Sequence, residues 1–259
     1  MGPDVGQDLY PDQGVLAEGK EIYGDMELPH SSGDFPYVVI NMVSSVDGGA
    51  SVSGKASGIG GLVDRESMRT LRSKVDAVMI GAGTLRAERL SLGLDDPALT
   101  QPLAIVLGGQ GELPIEEHLI TSNQKVLAVL PDGAVEQVGR SVEVLYAPRK
   151  PKTTPGGIAG LDLPWVLKHL RANYGVERLL VEGGPSLNRQ LVSQNLVDEL
   201  FLTVAPVLVA AGSPSILSPD PDFTRRDLIL ISSHMADGHL FLRYRISSCA
   251  TVHAISYTR

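Results

Sequence analysis

A single cysteine, Cys249, stands among 259 residues. One thiol excludes an internal disulfide and a zinc site built from several cysteines. A lone cysteine in a C-terminal strand or tail reads as a small apolar residue before it reads as a nucleophile. Positive charge is also short. Against 30 Asp and Glu there are 22 Lys and Arg, a net charge of −8, which argues against a nucleic-acid partner. No apolar run is long enough to span a bilayer, so no membrane partner is expected. The first residues lack a basic n-region and an apolar h-region; no secretion signal is visible, and a cytoplasmic address is expected. No internal repeat stands out, and no metal site is expected. The usual dinucleotide fingerprint is missing too. After Gly81 and Gly83 the third glycine position holds Arg86, and no acidic residue follows a second strand at the usual distance.

What is present is organised around Arg178 to Leu191 (RLLVEGGPSLNRQL). Leu179, Leu180 and Val181 read as a strand buried on both faces. Gly183 and Gly184 turn the chain without a Cβ in the way. Pro185 suits a first helical position, and Ser186, Leu187 and Asn188 continue a first turn with free backbone donors. Such a helix start binds anions, and Glu182 falls at the strand's carboxyl end, where open α/β sheets place their ligands.

The rest of the chain alternates strands and helices. Residues 1–35 read as an arm with at most one short element, and residues 36–259 as one domain. Tyr37 to Val43 is a strand, followed by a small, polar, glycine-rich stretch from Ser44 to Gly61 of the kind that is functional when it occurs in a compact domain. Asp64 is placed to cap a helix running through Lys74. Ala77 to Ile80 is a second buried strand, which runs into Gly81, Ala82, Gly83 and Thr84. Strands follow at Leu103 to Leu107, Val126 to Leu130 and Val142 to Tyr146, then a surface loop over residues 147–160, an amphipathic helix from Leu163 to Tyr174 and, after the central unit, a strand from Leu200 to Val204. Phe223 to Ser232 and His239 to Ile246 pair as a hairpin through Asp237 and Gly238. This order predicts a three-layer α/β/α fold with a mostly parallel central sheet and a C-terminal antiparallel hairpin. The two strand–glycine–helix turns, one at Gly81 to Thr84 and one at Glu182 to Pro185, would share the carboxyl edge of the sheet and suit a ligand with two phosphates.

Four motifs in order resemble one family: Asn41 to Gly48 (NMVSSVDG), Asp76 to Thr84 (DAVMIGAGT), Val181 to Asn188 (VEGGPSLN), and Val197 to Leu200 (VDEL) with Ala205 and Pro206 beyond it. They are similar to the reductase domain of riboflavin biosynthesis, over about residues 36–245. The resemblance implies a dihydrofolate-reductase-like fold, NADPH as cofactor, and reduction of the ribosyl group of 5-amino-6-(5-phosphoribosylamino)uracil to ribityl. It also implies a homodimer. The zinc-binding motif of the bifunctional members is not found, so the chain looks like the stand-alone type.

Residue by residue, the resemblance assigns cofactor contacts to Val43, to Gly81, Ala82, Gly83 and Thr84, and to Glu88 beside the nicotinamide. It assigns the pyrophosphate to Gly183, Gly184, Pro185, Ser186, Leu187 and Asn188, with Arg189 at the end of the same stretch. Substrate contacts fall on Ser57, Arg72 and Glu182, with Arg72 near the ribose phosphate and Glu182 as the candidate acid for ring opening. After Thr84 the chain departs from the family pattern: Arg86 to Gly93 carry no counterpart of the usual phosphate-binding residues, and Ile59 stands near the place of a tryptophan. Two rival readings share these residues, a dihydropterin or dihydrofolate-type reductase on the same fold and a nucleotide-binding protein without catalysis. His118, His169, His234 and His239 match no motif.

Overall fold

Apolar runs of five or six residues, too short for helices, become the interior of one sheet. The computed structural model describes residues 19–247, apart from 32, 53, 54, 56, 57, 88, 110–112, 120–122, 135–137, 139–141, 151–159 and 211. Its strands are β1 (Tyr37–Ser45), β2 (Ala77–Gly81), β3 (Leu103–Leu107), β4 (Val126–Pro131), β5 (Glu143–Ala147), β6 (Arg178–Val181), β7 (Glu199–Ala205), β8 (Leu228–Ala236) and β9 (His239–Ile246). They form a nine-stranded sheet in the order β5-β4-β3-β2-β6-β1-β7-β9-β8. β5 through β7 run parallel in that order, β9 is antiparallel to β7, and β8 is antiparallel to β9.

The helices are α1 (Gly19–Ile22), α2 (Leu62–Arg72), α3 (Ala82–Ala87), α4 (Ile115–His118), α5 (Leu163–Tyr174) and α6 (Pro185–Ser193). Alternation along each strand divides the core in two. One face packs Val39, Ile80, Leu180, Phe201 and Phe241 against Leu71 of α2, Leu85 of α3 and Ile115 of α4. The other packs Ile40, Met79, Ile105 and Val181 against Leu163, Val166, Leu167 and Leu170 of α5 and Leu187 and Leu191 of α6. This is the three-layer α/β/α arrangement expected. β6 lies between β2 and β1, so the chain on either side of residues 151–159 contributes to one core.

Local chemistry explains the ends. The Asp162 side chain accepts from the Trp165 N–H to cap α5, and Gly175, at φ 68°, closes it in the left-handed conformation. The Asp198 carboxylate accepts from the Val38 N–H at 2.7 Å and fixes the register of β1 beside the start of β7. Next to it, buried Glu199 pairs with Arg243 across β7 and β9.

Three expectations shift. Asp64 does not cap α2: Gly61 is the N-cap, without a side-chain hydrogen bond. The first hairpin strand begins at Leu228 rather than Phe223 and continues to Ala236, because the charged run Arg225 to Asp227 pairs within itself ahead of the apolar residues. Residues 19–35 are also less detached than an arm implies, since Ile22, Tyr23 and Leu28 are buried in the α2-side core.

Candidate active site

β1 is flanked on both sides, yet it is not buried along its whole length. Val38, Val39 and Ile40 are buried, whereas Asn41, Met42 and Val43 are partly exposed. These three partly exposed residues, ahead of buried Ser44 and Ser45, lie toward the carboxyl edge of a central strand, the place where open α/β sheets bind ligands.

The two glycine turns meet there. β2 and β6 are parallel neighbours, and the Gly81 N–H donates to the Gly183 carbonyl at 2.8 Å. The Gly183–Gly184 peptide is cis, and Gly183 has φ 87°, a conformation that favours glycine. A Cβ on Gly184 would stand 3.0 Å from Thr84 Oγ1, so the second turn closes directly on the first. α3 begins at Ala82, immediately after β2. Gly184 is also the N-cap of α6 and supplies no side-chain cap, which leaves first-turn N–H groups at Ser186 and Leu187 without an intrahelical partner. Asn188 is fully buried; its Nδ2 donates to the Ile216 carbonyl, while Oδ1 has no partner among the described residues.

On the α2 face a second arrangement appears. Glu182 follows β6, and Arg72 ends α2. Arg72 Nε and Nη2 donate to Glu182 Oε1 and Oε2, each at 2.7 Å, and Nη1 donates to the Gly93 carbonyl at 3.2 Å. The side chains are 6% and 11% exposed. The nearby carboxylate raises the Arg72 guanidinium above its ordinary value against the opposing effect of burial. A carboxylate accepting from a guanidinium on both oxygens is an acceptor rather than a proton donor. The guanidinium, donating from Nε and both Nη groups to protein acceptors, faces Glu182 and Gly93 in this structure.

A strap borders the carboxyl edge. The Asp47 carboxylate accepts from the Val209 and Ala210 N–H groups at 3.1 and 2.8 Å and from Ser45 Oγ, so Asp47 and Gly48 form a turn that clasps the segment after β7. Farther along, Ser218 N–H donates to the Pro185 carbonyl, and Arg189 binds Ser218 Oγ and Asp220. The segment thus ties the loop after β1 to the start of α6.

The structure therefore gathers Val43, Gly81, Ala82, Gly83, Thr84, Gly183, Gly184, Pro185, Ser186, Leu187 and Asn188 along one edge, with Arg72 and Glu182 joined beside them. Glu88 and Ser57 lie outside the described residues. The pairing of Arg72 with Glu182 has no local signal in the sequence, and neither has the burial of His239, whose ring abuts Gly61 at the start of α2. Among the described residues no group of His, Cys, Asp and Glu is disposed to hold a metal, and no helix is long and apolar enough to cross a membrane.

A mostly parallel sheet that opens at its carboxyl edge onto uncapped helix starts is the architecture of a nucleotide-dependent α/β enzyme. Comparison with known proteins narrows that class. The model of the RibD C-terminal domain family matches residues 36–239, and the chain belongs to that family. Similar curated proteins include the 2,5-diamino-6-ribosylamino-4(3H)-pyrimidinone 5′-phosphate reductase of Archaeoglobus fulgidus, 30% identical over 204 residues, 70% of this chain and 85% of the relative. The protein of the same name from Methanothermobacter thermautotrophicus is 29% identical over 190 residues, 67% of this chain and 79% of the relative. Among solved structures, Acinetobacter baumannii RibD superposes with a TM-score of 0.67 at 22% identity; the match covers 83% of this chain and 59% of that chain, and it shows the fold alone.

Membership of a reductase family implies a nicotinamide cofactor, and the residues along the edge fit one. Gly83 has open space where a Cβ would stand, the α6 start offers backbone donors to a pyrophosphate, and the buried Asn188 Oδ1 is an acceptor still to be satisfied.

Proposed function

We propose that the chain is an NADPH-dependent reductase of riboflavin biosynthesis, reducing the ribosyl group of a 6-(5-phosphoribosylamino)pyrimidine to ribityl. Family membership and the meeting of the two glycine turns at Gly81 and Gly183 support this reading. The names of the relatives favour the 2,5-diamino pyrimidinone as the first substrate to test; 5-amino-6-(5-phosphoribosylamino)uracil differs at the pyrimidine 2-position and keeps the same reacting ribosylamine. A cytoplasmic address belongs to this reading.

In this proposal Gly81 to Thr84 and Gly183 to Asn188 hold the dinucleotide, and Val43 lies beside it. The cofactor supplies a hydride when bound. The protein's part is to orient two ligands on one sheet edge and to exclude water between them. Arg72 fixes Glu182, whose remaining lone pairs accept from a ribose hydroxyl or the linking amine.

The proposed assembly is a homodimer. β8 is the terminal strand of the sheet, and Leu228, Ile229, Leu230 and Ile231 on it are exposed. An apolar, unpaired edge invites a second copy.

Purified protein supplied with NADPH and each pyrimidine in turn tests the activity. Consumption of NADPH with either ribosylamine, and none with an unphosphorylated dihydropterin, is the expected outcome. Turnover of the pterin alone would assign the chain to the rival reductase, and tight NADPH binding without turnover on any of them would leave a binding protein.

A further inference from the structure

Glu182 accepts from Arg72 on both oxygens, so opening the ribosylamine requires a proton from elsewhere. Asp64, in the first turn of α2, is an acid on the α2 face of the sheet. Strand alternation puts Val43 with Val39, Glu182 with Leu180, Thr203 with Phe201 and His239 with Phe241, all on the side of the sheet that packs against α2. Val43 and Thr203 are register partners on β1 and β7, and Thr203 and Phe241 on β7 and β9. Asp64, in the first turn of α2, lies over this group. It occupies the space beside Gly60 that a Cβ there would fill, and it hydrogen-bonds Thr203, which is 1% exposed. Asp64 commits its side chain to the sheet rather than to capping its own helix.

Resting on the reductase reading above, we propose that Asp64 is the catalytic acid, delivering its proton to the ring oxygen O4′ of the ribosylamine. As O4′ takes the proton, the C1′–O4′ bond breaks and its electron pair stays on oxygen. The lone pair of the linking nitrogen forms the C1′=N double bond. C1′ of this cation then accepts the hydride of the reaction, and the product carries one hydride and one proton more than the substrate.

The surroundings of Asp64 suit the task. Burial pushes its carboxyl above the usual carboxylate range, and the charge of Glu182 adds to this; the Thr203 hydrogen bond, His239 and Arg65 act in the opposite direction. Tyr23 packs edge-on against Phe201 and Phe241 on the same side of the sheet, its hydroxyl pushed upward by burial and by the charge of Asp64. His239 is 6% exposed and has Nδ1 2.8 Å from the Asp237 carbonyl, to which a protonated Nδ1 donates; the ring's other edge faces Gly61. A carboxyl whose proton is held more tightly by burial, beside a second carboxyl engaged as an acceptor by Arg72, is the division of labour that acid-assisted bond opening needs.

Asp64→Asn and Thr203→Val test the proposal. Asp64→Asn should lower kcat with the pyrimidine by about 100-fold or more, the usual contribution of a general acid. It should leave NADPH affinity, read by fluorescence titration, within about twofold of wild type, since the two glycine turns assigned to the dinucleotide follow β2 and β6 and take no residue from α2. Thr203→Val removes a hydrogen bond that favours the charged carboxylate and should move the alkaline limb of the kcat–pH profile upward. In the ligand-free protein, infrared spectra of wild type minus Asp64→Asn should show a protonated-carboxyl band persisting above pH ~4, where an ordinary aspartate has ionised. Unchanged kcat and pH profile in Asp64→Asn, no such band, or parallel loss of NADPH affinity and folding would overturn the assignment. Wild-type protein that binds NADPH yet reduces neither pyrimidine would instead sink the reductase reading, a separate outcome.

Discussion

Arg72 and Glu182 are 110 positions apart in the chain and meet through two hydrogen bonds of 2.7 Å, one from Nε and one from Nη2. The last residue of α2 is thereby fastened to the residue that ends the central strand–turn unit, and both are largely hidden from water. Removing one partner of such a pair strands the other's charge in a poorly solvated place. Arg72→Ala should cost about 3–5 kcal/mol of stability, whereas the double variant Arg72→Met, Glu182→Leu should recover most of it. Urea unfolding midpoints of the two proteins check this. Equal stability of Arg72→Ala and wild type would show that the pair is solvated in solution.

Gly184 sits against the hydroxyl of Thr84 and, in the proposed site, beneath a pyrophosphate. Gly184→Val should weaken NADPH by about 2 kcal/mol, roughly 30-fold, through a clash and a lost charge-assisted bond. Fluorescence titration of a variant shown to be folded by circular dichroism reads the effect. Affinity equal to wild type would move the cofactor away from this turn.

Asp47 holds the strap at neutral pH and releases it in acid. Hydrogen bonds from Ser45 and from the Val209 and Ala210 N–H groups keep its carboxyl below the ordinary range. A depressed folded value means that the clasp contributes fully above the unfolded value near pH ~4 and fades as pH falls through the folded one. Amide exchange at Val209 and Ala210 should therefore be protected at neutral pH and accelerate below pH ~4. Asp47→Ala should show the accelerated behaviour, corrected for intrinsic exchange, at every pH. Exchange at those two amides that is the same in both proteins would remove the clasp.

The proposed dimer rests on the β8 edge. Ile229→Arg places a charge on an apolar surface that a second copy would bury, and like charges would then oppose one another across the interface. Sedimentation should change from twice the mass of 27.5 kDa to that single mass. A monomeric wild type at micromolar concentration would count against the proposed assembly.

Much of the architecture is legible in the sequence because its signals are local. Leu103–Leu107 and Leu163–Tyr174 fall where apolar runs and helical spacing put them. The glycine turns announce themselves through residue types that a close backbone approach demands. What escapes reading is non-local. Asp64 has the chemistry of a helix cap, and only the third dimension shows that Thr203 competes for it. Arg72 reads as a free cation until β6 brings Glu182 beside it. His239 carries no motif, since its neighbour Gly61 belongs to a distant loop. The start of β8 falls later than the sequence suggests because aromatic and apolar residues flank the charged run at Arg225 to Asp227, and strand propensity does not register that local ion pair.

The insertion of β6 between β2 and β1 has a consequence for biosynthesis of the polypeptide itself. A ribosome delivers β1 and β2 long before the strand that separates them. Until Arg178–Val181 emerges, those two strands each carry a row of unsatisfied backbone groups, and the nascent chain cannot complete its central sheet. Productive folding must wait for that late strand, so the interval before its arrival is when an emerging chain most needs shelter from neighbouring nascent chains.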